Sequence, residues 1–371
     1  MAGITPIIMP KWGLSMAEGT VGAWLVEEGT EITVGMPILD VETDKIANAV
    51  EAPDPGLLRR KVANEGELLP VKALLGVLAG SDVSDAEIDA YIAAYVMPVS
   101  GADDDEQAGP AYLYADVDGL RIRYARRGAA EGTPVLFVHG FGGDLDNWLF
   151  NIDAVGEKRP VIALDLPGHG QSEVKLPGTS LAALADFVAR FMDAIDVAQA
   201  HLVGHSVGGA IAAQLALTQP QRVATLSLIA SAGFGPEINS AYTEGFASAA
   251  SRRELKPVLE LLFQDPTLVS RQMVDDVLKY KRLDGVGELL STLNSGLFGA
   301  GQQVAQPGLA LATVAKPVLM IWGRDDQIVP AAHAAQAPAG ATVEIFDGVG
   351  HMAQMERAND VNRLILRHIG G

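Results

Sequence analysis

The sequence contains no cysteine among its 371 residues. This absence excludes disulfide bonds, thiolate metal sites, thioredoxin-like redox chemistry and a cysteine nucleophile. Any thiol chemistry must therefore come from a cofactor or a substrate, and we expect no metal site.

Positive charge is also scarce, since 27 Lys and Arg face 46 Asp and Glu and leave a formal net charge of −19. Nucleic acids and anionic membranes bind basic surfaces, so we expect neither as a partner. A run of about 18 apolar residues, which a membrane-spanning helix needs, does not occur. The first residues, MAGITPIIMPKWGL, lack the cationic start and long apolar stretch of a secretory signal, so we expect a cytoplasmic location.

The chain does contain enough apolar residues to bury a sizeable core, at 49% hydrophobic and 20% charged. Its length suits two domains, since domains usually run about 100–200 residues. The charge is uneven: residues 1–110 carry 19 Asp and Glu against 6 Lys and Arg, a net charge of −13, and the rest of the chain carries −6. An acidic unit followed by a nearly balanced one predicts two parts with different functions.

Residues 1–80 form short apolar segments separated by Gly and Pro, which predicts an all-β unit. This unit also repeats itself, because a shift of 37 positions aligns residues 19–29 with residues 56–66 and Val21 with Leu58. Two similar strand sets predict a small sandwich with pseudo-twofold symmetry, in which each half covers the apolar face of the other.

The segment that follows has a different character. Ser84 with Glu87 three residues later is a capping box, which predicts a short helix over 84–96. Residues 97–110, MPVSGADDDEQAGP, combine Pro, Gly and an acidic run, as is typical of a solvated linker. The expected organisation is a first domain, a helix with a linker, and a second domain, over 1–80, 81–110 and 111–371.

From residue 111 onward, short apolar strands alternate with helical stretches such as 180–197 and 207–217, which predicts a mostly parallel sheet covered on both faces. Residues 233–305 contain helical segments and no clear strand, so we expect a helical cap inserted over one edge of the sheet. The fold class is therefore a small all-β sandwich followed by an α/β domain. Strands are predicted at 135–138, 161–164, 200–203, 226–229, 318–321 and 343–346.

The pentapeptide Gly-His-Ser-Val-Gly at 204–208 follows a predicted strand and opens an Ala-rich helix. This is the context of a nucleophile elbow, in which Ser206 occupies a sharp turn and the helix N-terminus offers N–H groups to an oxyanion. The adjacent Asp325 and Asp326 follow a later strand, and His351 follows the last one. The chain order is thus serine, aspartate, histidine.

On these motifs, residues 111–371 resemble the α/β-hydrolase superfamily, and HGFGG at 139–143 and DLPGHGQS at 165–172 extend the resemblance. In a site of this kind, Ser206 attacks an acyl carbon and His351 accepts its proton, since a neutral imidazole titrates near working pH.

The residues alone leave two candidates for the aspartate that orients His351. In similar proteins the acid stands three residues after the glycine and four before the proline, which favours Asp326 over Asp325. The backbone N–H groups of Phe141 and Val207 are expected to form the oxyanion hole. The remaining histidines are expected to orient backbone or to be structural: His139, His169, His201, His205, His333 and His368.

A lysine lies between the two halves of the internal repeat, where Asp44 and Lys45 are expected at an exposed hairpin tip. Biotinyl domains place methionine on each side of their modified lysine, whereas Asp44 and Ile46 flank Lys45, which disfavours biotin. The resemblance is instead to lipoyl domains, and it implies an amide-linked lipoyl group on Lys45. The motifs that carry it are EEG at 27–29, Gly35, ETDK at 42–45, AP at 52–53 and Gly56.

Together the two units resemble, over nearly the whole chain, the dihydrolipoyl acetyltransferase components of bacterial acetoin dehydrogenase complexes. The resemblance implies transfer of acetyl from S-acetyldihydrolipoyl-Lys45 to coenzyme A. It also implies two partners. Thiamine-diphosphate-dependent acetoin dehydrogenase subunits load the acetyl group onto the lipoyl group, and a dihydrolipoyl dehydrogenase reoxidises the dihydrolipoyl group. The His-x-x-x-Asp-Gly motif and the basic subunit-binding segment of 2-oxo-acid dehydrogenase acyltransferases are missing, so their core assembly does not carry over.

Coenzyme A binding has no clear mark in the sequence. Transfer and hydrolysis use the same nucleophile, base and oxyanion hole, so an ester or thioester hydrolase with a lipoyl targeting domain is a second hypothesis. A third is a carrier protein whose α/β domain only docks partners. Two basic clusters either meet coenzyme A phosphates or are solvated surface charge: Arg121, Arg123, Arg126 and Arg127, and Arg252, Arg253 and Lys256.

Overall fold

The computed structural model describes residues 3–12, 16–43, 47–52, 54–97, 112–128 and 131–370. The chain divides into two compact units, a front unit Met1–Gly109 and a back unit Pro110–Gly371. None of the described helices combines the length and the apolar character that crossing a bilayer requires.

The front unit is a sandwich of two four-stranded antiparallel sheets. Its strands are β1 (Ile4–Ile8), β2 (Glu18–Trp24), β3 (Glu31–Ile32), β4 (Pro37–Glu42), β5 (Ala47–Glu51), β6 (Gly56–Lys61), β7 (Leu68–Pro70) and β8 (Leu74–Ala79). One sheet has the order β1-β8-β6-β3 and the other has the order β5-β4-β2-β7.

The internal repeat of the sequence is visible in this topology. A shift of 37 positions carries β2 onto β6, β3 onto β7 and β4 onto β8, so that β4-β2-β7 in one sheet matches β8-β6-β3 in the other. Val21 and Leu58, which the shift superposes, are both fully buried. Gly29 and Gly66 are equivalent turn residues with φ of +87° and +80°, a region that favours glycine. The predicted pseudo-twofold sandwich is confirmed.

A helix, α1 (Asp85–Ala94), packs against this sandwich. It begins at the predicted capping box, where Ser84 accepts the Glu87 N–H and the Glu87 carboxylate accepts the Ser84 N–H. Ile88 is fully buried against β8, and Arg59 of β6 forms an ion pair with Asp85 at 2.9 Å. The helix therefore forms a second, smaller apolar cluster with Val77 and Ala79 of β8, beside the core of the sandwich.

The back unit is built on an eight-stranded sheet. Its strands are β9 (Leu113–Val117), β10 (Leu120–Arg127), β11 (Val135–Val138), β12 (Val161–Leu164), β13 (Ala200–His205), β14 (Val223–Ile229), β15 (Val318–Gly323) and β16 (Thr342–Phe346). The order is β16-β15-β14-β13-β11-β12-β10-β9, with β11 to β16 parallel and β9 and β10 antiparallel at one edge. The prediction of a mostly parallel sheet is confirmed.

The sequence interpretation did not include β9 and β10. The signal for β10 was present, because Leu120 and Ile122 are buried while Arg121 between them is exposed, the alternation of an edge strand with one buried face. Arg123 breaks that alternation, since it is charged and yet only 3% exposed. Its buried partner, described below, explains why the pattern was obscured.

Helices cover the sheet and its carboxyl end. Those outside the cap are α2 (Ile152–Gly156), α3 (Leu181–Ala194), α4 (Val207–Thr218), α9 (Ala353–Glu356) and α10 (Ala358–His368). The helices between β14 and β15 form the cap: α5 (Ser240–Ser248), α6 (Arg252–Glu260), α7 (Arg271–Lys281) and α8 (Val286–Leu297). Glu237 and Gln302 form an isolated antiparallel bridge that joins the segments entering and leaving the cap.

Candidate active site

Ser206 occupies a strained turn between β13 and α4. Its φ of 54° and ψ of −120° lie where non-glycine residues are rare, and it is 6% exposed. The flanking glycines are required by close packing: a Cβ at Gly204 would lie 2.4 Å from the Gly208 carbonyl oxygen, and a Cβ at Gly208 would lie 2.0 Å from the Val138 carbonyl oxygen. This is the geometry of a nucleophile elbow.

Asp326, rather than Asp325, contacts the histidine. Its Oδ2 lies 2.8 Å from His351 Nδ1, and both side chains are almost completely buried. Its Oδ1 accepts the N–H groups of Ile328 and Val329 at 2.8 and 3.0 Å, which orients the carboxylate. Asp325 is exposed and accepts a single N–H from the loop before His351. The arrangement fixes His351 Nδ1 as a donor and leaves Nε2 to exchange a proton.

A carboxylate that the sequence interpretation missed clamps the histidine loop. Glu356 accepts the N–H of Gly350 and the N–H of Gln264, each at 3.0 Å, and so ties the loop to the segment after α6. The Leu262 carbonyl of the same segment accepts the His351 N–H at 2.9 Å. Burial raises the pKa of Glu356 above its ordinary value. No local motif marks this clamp, because one of its partners, Gln264, lies 92 positions away in the chain.

His205 supports the base from the other side. Its Nε2 donates to the His351 carbonyl oxygen at 3.0 Å, and the two rings are 4.6 Å apart. Burial holds the pKa of His205 well below its ordinary value, so the ring stays neutral. Because Ser206 is the next residue, this contact joins the elbow to the histidine loop.

The loop after β11 lies directly against the elbow. A Cβ at Gly140 would come within 2.9 Å of Ser206 Cβ, which brings Phe141 beside the serine. His139 fixes the loop: its Nδ1 donates to the Gly140 carbonyl at 2.8 Å and its Nε2 accepts the Leu166 N–H at 2.9 Å. Burial lowers the pKa of His139 to about 4, so this neutral tautomer persists.

The two expected oxyanion donors belong to two segments that meet at Ser206, the loop after β11 and the start of α4. Val207 opens α4, and the first N–H groups of a helix have no partner within it. Phe141 follows Gly140, which packs on the serine Cβ. Both N–H groups come from the loops that supply oxyanion donors in nucleophile-elbow proteins.

A buried ion pair between Arg123 and Asp165 holds the segments that follow β11 and β12. Asp165 accepts Arg123 Nε at 2.6 Å and Nη2 at 3.2 Å, and it also accepts the N–H groups of Leu145 and Gln171. Arg123 is therefore not available to a phosphate. In the second basic cluster, Arg252 donates to Asp275. The basic clusters considered for coenzyme A are thus partly used within the protein.

A cavity of about 160 Å³ adjoins the elbow. Its wall includes Val207 and Ala210 of α4, Leu181 of α3 and Phe298 after α8. These side chains are apolar, so the space suits an uncharged organic group better than a phosphate.

Lys45, the candidate lipoyl-bearing lysine of the front unit, lies outside the described residues, as does Asp44. The strands on either side are described: β4 and β5 pair antiparallel, with Glu42 opposite Ala47. The segment joining these paired strands contains the lysine, and the hairpin expected from the sequence is present up to Thr43 and from Ala47.

Known protein families match both units of the chain. Residues 133–358 match the family described as alpha/beta hydrolase fold, and residues 5–78 match the biotin/lipoyl family described as biotin-requiring enzyme. A solved meta-cleavage product hydrolase of Pseudomonas fluorescens is similar in fold, with a TM-score of 0.63 and 24% identity over 70% of this chain and 97% of its own. The protein is thus an α/β-hydrolase-fold chain that carries a biotin/lipoyl-type domain.

Two full-length relatives narrow this class. The dihydrolipoyllysine-residue acetyltransferase component of the acetoin cleaving system of Cupriavidus necator is 65% identical over 99% of this chain and 98% of its own length. The component of the same name from Pseudomonas putida is 48% identical over 99% and 98%. The chain belongs to the family of dihydrolipoyllysine-residue acetyltransferase components of acetoin-cleaving systems. The predicted resemblance, fold class and acyltransferase class are confirmed.

Proposed function

We propose that the protein transfers an acetyl group from S-acetyldihydrolipoyl-Lys45 to coenzyme A, with Ser206, His351 and Asp326 as its catalytic triad. The observation that carries the proposal is the buried 2.8 Å contact between Asp326 and His351, in a loop bonded to the neighbour of a strained Ser206. The same chain supplies the lipoyl-type domain.

The hairpin of β4 and β5 suits a lipoyl-lysine. Its strands are closely paired up to Glu42 and Ala47, and Lys45 belongs to the short connection between them. The dihydrolipoyl group, when attached, supplies the thiol that carries acetyl, which this cysteine-free chain lacks. A tether of this kind raises the local concentration of the carried group at each site it reaches.

Ser206 begins the reaction. His351 Nε2 accepts the Ser206 Oγ proton while Oγ bonds to the thioester carbonyl carbon. Asp326 holds the ring and stabilises the imidazolium that forms. The N–H groups of Phe141 and Val207 bind the oxyanion of the tetrahedral intermediate.

The intermediate then collapses with cleavage of the C–S bond. His351 gives its proton to the departing thiolate sulfur, which leaves as the dihydrolipoyl thiol, and the acetyl group remains on Ser206 Oγ. The coenzyme A thiol next gives its proton to His351 and attacks the acetyl ester. Ser206 Oγ leaves with that proton, which yields acetyl-coenzyme A and the starting enzyme. We favour this covalent route because a strained, elbow-held serine suits a nucleophile better than a simple hydrogen-bond donor.

The partners follow from the same chemistry. A thiamine-diphosphate-dependent acetoin dehydrogenase would load acetyl onto the lipoyl group of Lys45, and a dihydrolipoyl dehydrogenase would reoxidise that group. Neither nucleic acid nor membrane is among the proposed partners.

The decisive experiment measures where the acetyl group goes. Lipoylated protein is mixed with acetyl-dihydrolipoamide and coenzyme A, and acetyl-coenzyme A and free acetate are quantified together. We expect acetyl-coenzyme A to predominate. Acetate as the main product would favour the hydrolase, and no turnover of either kind would favour the carrier.

The covalent route is tested by leaving coenzyme A out. A burst of dihydrolipoamide equal to the active sites, and an acetyl mass on the peptide containing Ser206, are expected. The Ser206→Ala protein serves as the control and should give neither. A strict requirement for coenzyme A before any thiol appears would reject the acetyl-serine intermediate.

A further inference from the structure

The cap contacts the loop that contains the candidate oxyanion donor Phe141. Tyr242 of α5 donates its O–H to the Phe141 carbonyl oxygen at 3.2 Å, and both residues are buried, at 6% and 5% exposed. Burial raises the pKa of the Tyr242 phenol, so it remains a donor at all working pH values. The hydrogen bond therefore links a cap helix to the backbone of the loop.

Aromatic packing reinforces this contact. The Phe246 ring lies so close to Gly142 that a Cβ there would fall 2.4 Å from it. The Phe141 ring makes edge-on contacts with Phe246 at 5.9 Å and with Phe298 at 5.8 Å. On its other side the loop is limited by the elbow, since Gly140 packs on Ser206. The loop is thus held between the cap and the nucleophile.

The helix that bears Tyr242 is itself anchored. Lys281 of α7 donates to the carbonyl oxygens of Phe246 and Ala247 near the end of α5, and its ammonium lies 5.0 Å from the centre of the Phe246 ring. A cation that bonds the terminal carbonyls of a helix stabilises that end. Tyr242 therefore belongs to a helix whose C-terminal end is held by Lys281.

We propose that Tyr242 is a positioning residue, which aims the Phe141 N–H at the reacting carbonyl oxygen by holding the Phe141 carbonyl. The inference rests on the proposed function, because an aimed donor matters only if Ser206 forms a tetrahedral intermediate. A buried carbonyl that loses its donor carries a free-energy penalty, and turning its peptide toward another partner relieves that penalty. Turning the peptide after Phe141 disturbs the loop that carries its N–H.

The chain provides a matched control in Tyr280 of α7. Its O–H donates to the Gly168 carbonyl oxygen at 2.6 Å, and burial raises the pKa of this phenol as well. Both tyrosines are cap residues that bond a backbone carbonyl under the cap. They differ in the carbonyl they hold: Tyr242 bonds Phe141 itself, whereas Tyr280 bonds Gly168 after β12 and stacks on His169.

The experiment compares Tyr242→Phe with Tyr280→Phe in the full-length lipoylated protein, with active sites titrated by the acetyl burst. Kinetics are measured with acetyl-dihydrolipoamide and coenzyme A. Affinity is also measured for a trifluoromethyl ketone analogue, whose adduct with Ser206 places an oxyanion in the hole. For Tyr242→Phe we expect kcat about tenfold lower, against roughly 10²–10³-fold for losing an oxyanion donor outright. KM should change little, and the analogue should bind weaker in proportion to kcat.

The control should keep kcat and analogue affinity within about twofold, the margin expected for a change outside the transition state. Equal effects of the two substitutions, or a Tyr242→Phe protein altered only in melting temperature, would overturn the positioning role. Ser206→Ala separates this result from the proposed function. If that variant stays active, the triad itself is wrong. If it is inactive while Tyr242→Phe matches Tyr280→Phe, only the positioning inference fails.

Discussion

The front and back units differ in how they position their candidate functional residues. The front unit repeats one strand set, and Val21 and Leu58 are buried at equivalent positions of the two copies. Its candidate functional residue, Lys45, belongs to a single hairpin. The back unit assembles its site from segments that are far apart in the chain, at Phe141, Ser206 and His351. All seven histidines lie in the back unit, whereas the front unit carries a net charge of −13. A carrier needs one reachable side chain, whereas a catalyst needs several groups held in fixed relation.

The largest expected effect separates the two units chemically. Ser206→Ala should lower acetyl transfer by about 10⁵-fold or more, because the triad acts as a unit. It should leave lipoylation of the front unit intact. Lys45→Ala should abolish the lipoyl mass shift and retain transfer from free acetyl-dihydrolipoamide. Intact mass and turnover of the two variants provide the measurement.

Lys11→Ala is the control for the lysine, since Lys11 is an exposed lysine of the same unit and should leave the mass shift unchanged. Lipoylation at another lysine, or loss of the shift in Ser206→Ala, would contradict the division of roles.

The next effect distinguishes two neighbouring carboxylates. Asp326→Asn should lower kcat by about 10⁴-fold, because an amide favours the wrong histidine tautomer while preserving the shape. Asp325→Asn should cost little activity, since the Asp325 side chain is exposed and accepts the Gly348 N–H rather than contacting His351. Steady-state acetyl transfer with both variants tests this. A larger loss in Asp325→Asn would refute the assignment drawn from the 2.8 Å contact.

A core substitution tests whether the units are energetically separate. Leu58→Ala should destabilise the front unit by about 2–5 kcal/mol, because the side chain is fully buried and its removal leaves a cavity. Leu25→Ala, which truncates a side chain that is 48% exposed, should change stability by only about 0.5 kcal/mol or less. Chemical denaturation followed by segment-resolved hydrogen exchange gives both numbers. Transfer from free acetyl-dihydrolipoamide should be unaffected by either change, and a parallel loss would show coupling of the units.

The last expected effect is a difference in acid sensitivity between the two units. Burial lowers the pKa of His139 from 6.5 to about 4 and that of His169 to about 3. At these two histidines the unfolded chain therefore binds more protons than the folded back unit below pH 6.5. Stability should fall as the pH drops through this window, by roughly 3 kcal/mol for His139 once pH 4 is reached.

The front unit has no histidine, so it should show no loss from this cause. Hydrogen exchange of β11 and β8 peptides between pH 7 and pH 4, corrected for intrinsic rates, measures the contrast. Equal acid destabilisation of both units would indicate that carboxylates, rather than the buried histidines, dominate.

Several features were readable from the sequence because their physics is local. The internal repeat needs only matching glycines and apolar positions, and the structure shows β2, β3 and β4 repeated as β6, β7 and β8. The capping box of Ser84 and Glu87 spans three residues. The elbow around Ser206 is likewise defined by its neighbours, since Gly204 and Gly208 are needed where backbone passes within 2.4 Å of a would-be Cβ.

Other features were decided only by the tertiary structure. Asp325 and Asp326 differ by one position, and it is the turn after β15 that buries one against His351 and exposes the other. The contact of Glu356 with Gln264 and that of Tyr242 with Phe141 have no motif, because these residues lie 92 and 101 positions apart in the chain. Short-range patterns record what neighbouring residues do to each other. Contacts between distant segments depend instead on how the whole back unit packs. That packing places Asp326, Glu356 and Tyr242 near the loops that surround Ser206.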